Sequence, residues 1–82
     1  MNKYYVQSGS LKRIILSTEP FKACVRSLHD MVSKKQEKEL SPSFIVSQRG
    51  FVMDRFPTQI YSDEEIYSTI DVFTEFKRVF NE

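Results

Sequence analysis

The sequence predicts an α+β domain: a four-stranded, mainly antiparallel sheet with two helices, in the order β-β-α-β-β-α. Three observations carry this. Two aromatic and β-branched runs flank Ser8-Gly9-Ser10. A second pair of such runs flanks Arg49-Gly50. After each pair, apolar residues recur at helical spacing.

Tyr4 to Gln7 reads as the first strand and Leu11 to Leu16 as the second. Gly9 supplies the positive φ that the intervening turn needs. Ser17, Thr18, Glu19 and Pro20 then give a hydroxyl cap, an acid and a first-turn proline, the signature of a helix start. Phe21, Cys24, Val25, Leu28, Met31 and Val32 form the apolar stripe of that helix. Lys34 to Glu39 keeps helical propensity without the stripe, and Ser41-Pro42 stops the helix.

Ser43 to Gln48 reads as the third strand and Phe51-Val52-Met53 as the start of the fourth, limited by Pro57. Thr58 to Tyr61 is ambiguous between loop and strand. Ser62 and Glu65 have capping-box spacing, and Asp63, Glu64 and Glu65 suit the positive end of a helix dipole. Ile66, Ile70, Phe73, Phe76, Lys77 and Phe80 then form the second stripe. The order is that of two tandem ββα units. Tyr5-Val6-Gln7-Ser8-Gly9 faintly echoes Ile45-Val46-Ser47-Gln48-Arg49-Gly50, but strand and turn chemistry alone would produce such an echo.

The 82 residues suit one compact domain, 1–82. A chain of this size buries only about 60–65% of its unfolded surface, leaving little room for a deep pocket. An apolar fraction of 40% with 28% charged residues is globular, and seven Phe and four Tyr without Trp assign much of the packing to aromatics. Cys24 is the single cysteine, which excludes an intramolecular disulfide and a thiolate metal cage. No apolar run approaches the roughly 20 residues of a membrane span, and Met1-Asn2-Lys3-Tyr4-Tyr5 lacks a signal-peptide core. A cytoplasmic location without membrane association is the expectation. Eight Lys/Arg against four Asp/Glu give residues 1–40 a net +4, whereas four against seven leave residues 41–82 at −3. Such polarity can steer a partner or draw two copies together.

The chemistry-bearing residues do not assemble into a catalytic pattern. His29 is the single histidine. Asp30, one position on, points about 100° away and cannot orient it, and Ser33 one turn on offers a hydrogen bond without a triad. Cys24 sits on an apolar stripe, where it packs as a small hydrophobe. The acids at 63–65 lack the alternating ligands of a calcium loop. Two glycines, Gly9 and Gly50, cannot build a phosphate-cradling loop. No enzyme, metal or cofactor is expected.

Strand alternation predicts that Tyr4, Val6, Ile14, Leu16, Phe44, Val46, Phe51 and Met53 share the core face. Phe21, Val25, Leu28, Ile66, Ile70 and Phe73 are expected to pack onto it. Tyr5, Gln7, Leu11, Arg13, Ile15, Ile45 and Val52 then fall on the opposite face, which is too apolar for an ordinary solvated surface. The second helix or a partner must cover it, and a second copy about a two-fold axis is the favoured cover. The expected function is a non-catalytic protein-interaction or self-associating module, with Tyr5, Arg13, Ile15 and Ile45 as partner-binding residues. The alternative is a small nucleic-acid-binding module, in which Tyr4 or Tyr5 stacks on bases beside Lys12, Arg13 and Arg49.

Overall fold

The computed structural model describes residues 1–36, 38–51 and 64–80. The expected order is present: β1 (Asn2–Ser8), β2 (Leu11–Ser17), α1 (Pro20–Ser33), β3 (Ser43–Ser47), β4 (Glu65–Ser68) and α2 (Thr69–Phe80). All strand pairings are antiparallel, in the spatial order β2-β1-β3-β4.

The β1–β2 hairpin turns in two residues, with Ser8 opposite Leu11. Gly9 takes the first loop position at φ +59°, where a type II′ turn requires glycine. A second constraint acts on the same residue. A Cβ on Gly9 would stand 2.1 Å from the Glu39 carbonyl oxygen. That carbonyl accepts from the Ser10 backbone N–H at 2.8 Å, and the Glu39 N–H donates to Ser10 Oγ at 3.0 Å. Residues 39–41 therefore strap the hairpin tip.

This turn corrects the expected phase of β2. A three-residue loop at 8–10 would align Ile14 and Leu16 with Tyr4 and Val6. The observed register pairs Tyr4 with Ile15 and Val6 with Arg13. One residue of slip moves every side chain to the other face. Leu11 and Ile15 are buried with Tyr4, Val6, Phe44 and Val46, whereas Ile14 and Leu16 are 54% and 59% exposed.

Helix α1 begins as expected, with Glu19 extended at the N-cap and Pro20 in the first turn. The Ser17 hydroxyl steadies the approach, donating to the Glu19 carbonyl at 3.2 Å. The helix ends earlier than the propensity of 34–39 suggests. Lys35 adopts φ +54°, the Lys35 N–H donates to the Val32 carbonyl at 3.1 Å and the Gln36 N–H to the Met31 carbonyl at 3.0 Å. These two bonds make a Schellman termination, here without glycine.

The second half of the chain departs further from expectation. Val52, Met53, Pro57, the segment 58–61 and the Ser62 cap lie outside the described residues. Phe51 lies outside any strand, and Glu65–Ser68 is the fourth strand. Glu65 and Ile66 are thus strand residues rather than the first turn of a helix. Ser68 is the cap instead, its Oγ accepting the Asp71 N–H at 3.0 Å. Ile66 faces away from the helices, 63% exposed, and Ile70 is 77% exposed, so neither joins the core. From α2, Val72 enters the core, with Phe73 and Phe76 packed at its margin.

Both helices lie on one face of the sheet, giving two layers. α1 covers β1, β2 and β3, and α2 packs beside it against β3 and β4. The possibility that α2 covers the opposite face is therefore excluded. Phe21 and Tyr67 meet edge to face at 5.1 Å where α1 approaches β4. Burial of a Leu-sized side chain contributes about 1.5–3 kcal/mol, and the core has no surplus of such groups.

Leu28 is fully buried, as expected. Leu28→Ala will cost about 2–5 kcal/mol in urea unfolding monitored by circular dichroism. Gly9→Ala, which meets both the positive φ and the Glu39 carbonyl, will cost about 2 kcal/mol or more by the same measurement, despite being at the surface.

Candidate interaction surface

The helix-free face of the sheet follows from the registers. Lys3, Tyr5 and Gln7 on β1 stand beside Leu16, Ile14 and Lys12 on β2. Tyr5 and Gln7 also pair with Ser47 and Ile45 on β3, and Ile45 with Ile66 on β4. Ile14, Leu16 and Ile66 are each more than half exposed, and Tyr5 and Ile45 are half-buried. An apolar band thus crosses the sheet, aliphatic on β2, β3 and β4 and aromatic on β1, where Tyr5 supplies it.

One corner of this face is aromatic and basic. Tyr5 and Phe51 meet edge to face at 5.1 Å. Lys3 Nζ lies 5.2 Å from the Tyr5 ring centre and Lys12 Nζ 4.5 Å from that of Phe51. Such contacts hold ammonium groups over ring faces and keep them at the surface.

Of the four expected partner-binding residues, the structure brings Tyr5 and Ile45 together on this face. Arg13 and Ile15 lie on the other side of the sheet. Ile15 is 7% exposed within the core, and Arg13 is half-buried, its guanidinium donating to Gln36 Oε1. Ile14, Leu16 and Ile66 take their place in the exposed set. The signal for Ile14 and Leu16 was available: a Gly-Ser loop of two residues pairs Ser8 with Leu11 and sets the phase of β2.

A second feature is a cleft of about 310 Å³ between the start of α1, the end of α2 and the end of β2. Thr18, Val25, Val79 and Phe80 line it, with Lys22, Arg26 and Arg78. Its cations are engaged. Lys22 lies 3.5 Å from Glu19, Arg78 makes bonds of 2.9 and 2.6 Å to Glu75, and Arg26 Nη1 donates to the Leu16 carbonyl at 3.5 Å. The hydrogen bond from Arg78 holds the Glu75 carboxyl below its ordinary range, and Glu75 in turn raises Arg78.

His29 stacks on Phe80 at 4.2 Å, and Ser33 Oγ lies 3.4 Å from its Nε2. Cys24, on the buried side of α1, is a free thiol. Burial first, and the Glu65 charge second, push its thiol up to about 12. Tyr67, donating to Glu65 Oε2, is also raised, chiefly by desolvation. Among the described residues no group of three or more His, Cys, Asp or Glu could hold a metal, and no helix is long and apolar enough to cross a membrane. No protein-family model, curated protein or solved structure matches the chain.

A thiol raised from 9.0 to about 12 in the fold favours the folded state at neutral pH, and that contribution is lost as pH rises from about 9 toward 12. Cys24 will accordingly resist a disulfide reagent at pH 8 in the native protein and react fully in denaturant. Rapid native labelling would contradict its burial.

Proposed function

We propose that the protein is a non-catalytic interaction module that associates with another copy of itself through the helix-free side of its sheet. The observation that carries this reading is the exposure of Ile14, Leu16 and Ile66 on one continuous face. Isolated surface aliphatics are ordinary, but a band of them across a sheet marks a contact surface. The opposite charges of the two halves of the chain favour a second copy as the occupant. His29 and Cys24 support the non-catalytic reading, since one stacks on Phe80 and the other is a buried thiol.

The Lys3–Tyr5 and Lys12–Phe51 contacts favour a second reading, binding of single-stranded nucleic acid at that corner. Its mark is an oligonucleotide mobility shift at low salt that disappears by about 200 mM salt. No shift at low salt removes it.

Leu16→Glu places a carboxylate in the aliphatic band without touching the core. Sedimentation velocity will show self-association of the wild-type protein and a monomeric Leu16→Glu variant with an unchanged circular dichroism spectrum. A wild-type protein that stays monomeric at high concentration contradicts the reading.

A further inference from the structure

The cleft of about 310 Å³ joins an apolar wall to a cationic rim. It opens where the start of α1 meets the end of α2, so it is built without the helix-free face of the sheet. Val25 is buried, whereas Val79 and Phe80, which border the concavity, are 46% and 42% exposed. A small concave site with mainly apolar walls and a few polar groups at its mouth is the usual form of a small-molecule site.

The three cations of the rim are answered unequally. Arg78 is held by both carboxylate oxygens of Glu75 on its own helix. Lys22 lies 3.5 Å from Glu19, with both side chains more than half exposed, and such a pair is weak. Arg26 has a neutral partner, the Leu16 carbonyl at 3.5 Å. Among the described residues no carboxylate lies within ion-pair distance of Arg26. Three cations against two carboxylates therefore leave one positive charge at the mouth of the cleft. Lys22 and Arg26 are also one turn apart on α1, where like charges repel.

We propose that the cleft binds a small apolar monocarboxylate, with its tail against Val25, Val79 and Phe80 and its head on Arg26 beside Lys22. The guanidinium fork matches the two oxygens of a carboxylate, and the head group relieves the repulsion along α1. At about 30 Å³ for each heavy atom, the share of a water molecule in the liquid, the cleft takes roughly ten heavy atoms. A fatty acid of medium chain length has that size. A phosphate dianion brings more charge than the rim leaves unanswered and gives the apolar wall no partner. An apolar cation meets like charge at the mouth. The site is independent of the self-association proposed above.

The test titrates the whole chain, labelled with nitrogen-15, with sodium octanoate, sodium butanoate and octylamine. Octanoate will produce saturable amide shifts centred on Val25, Arg26, Val79 and Phe80. Butanoate will bind about tenfold more weakly or worse, because it loses methylene contact with the wall. Octylamine, with the same tail and the opposite charge, will bind at least about tenfold more weakly too. Arg26→Gln removes the charge that meets the head group, and Val79→Glu places a carboxylate on the wall. Each will weaken octanoate binding about tenfold or more with an unchanged circular dichroism spectrum. If Arg26→Gln does not fold, Val79→Glu and octylamine decide. The proposal is overturned by octanoate shifts that do not saturate or that centre on Ile14 and Ile66. It is equally overturned by octylamine binding as tightly as octanoate, or by folded variants that bind as the wild-type protein does.

Discussion

The two-residue turn at Gly9 and Ser10 is the constraint on which the rest of the structure depends. It sets the register of β1 against β2, and that register decides which side of three consecutive aliphatic residues, Ile14, Ile15 and Leu16, enters the core. The turn is held from two directions. Glycine admits the positive φ, and the Glu39 carbonyl occupies the space a side chain would need. A loop longer by one residue would exchange Ile15 for Ile14 and Leu16 and bring Lys12 beneath the helices, an uncompensated charge in a small core.

The turn also organises the second half of the chain. Ser8 is buried next to it, and its hydroxyl donates to the Ser43 carbonyl at 2.9 Å and accepts the Ser41 N–H at 3.2 Å. Ser41 and Pro42 pass the connection on. Thr69 donates through its hydroxyl to the Ser41 carbonyl at 2.6 Å and through its N–H to the Pro42 carbonyl at 2.9 Å. A short relay of hydroxyls and carbonyls thereby ties the hairpin tip to the start of β3 and to the junction of β4 with α2. Buried polar groups of this kind must be satisfied, so their partners specify one arrangement of the chain.

With α1 and α2 both committed to one side, the sheet has a helix-free face whose composition is unlike that of an ordinary solvated surface. Tyr5, Ile14, Leu16, Ile45 and Ile66 line it. The same register that buries Leu11 and Ile15 turns Ile14 and Leu16 outward.

Much of this was legible in the residues. Strand and helix periodicity, the Glu19-Pro20 start of α1 and the β-branched runs at 4–7, 11–16 and 43–48 determine an α+β fold in its correct order, because each rests on local backbone preference. The apolar character of the helix-free face was legible too, with Tyr5 and Ile45 on it. Three features were decided by tertiary structure. The phase of β2 is one, since three apolar residues in a row satisfy alternation either way and the strap at Glu39 selects the short turn. The place of β4 is another: Ile66-Tyr67-Ser68 suits strand or helix locally, and pairing with Phe44 and Ile45 decides for strand. The last is the end of α1, where Lys34 to Glu39 would extend a helix by propensity but residues 39–41 are needed at the hairpin tip. In each case two local conformations of similar energy compete, and a contact distant in sequence separates them.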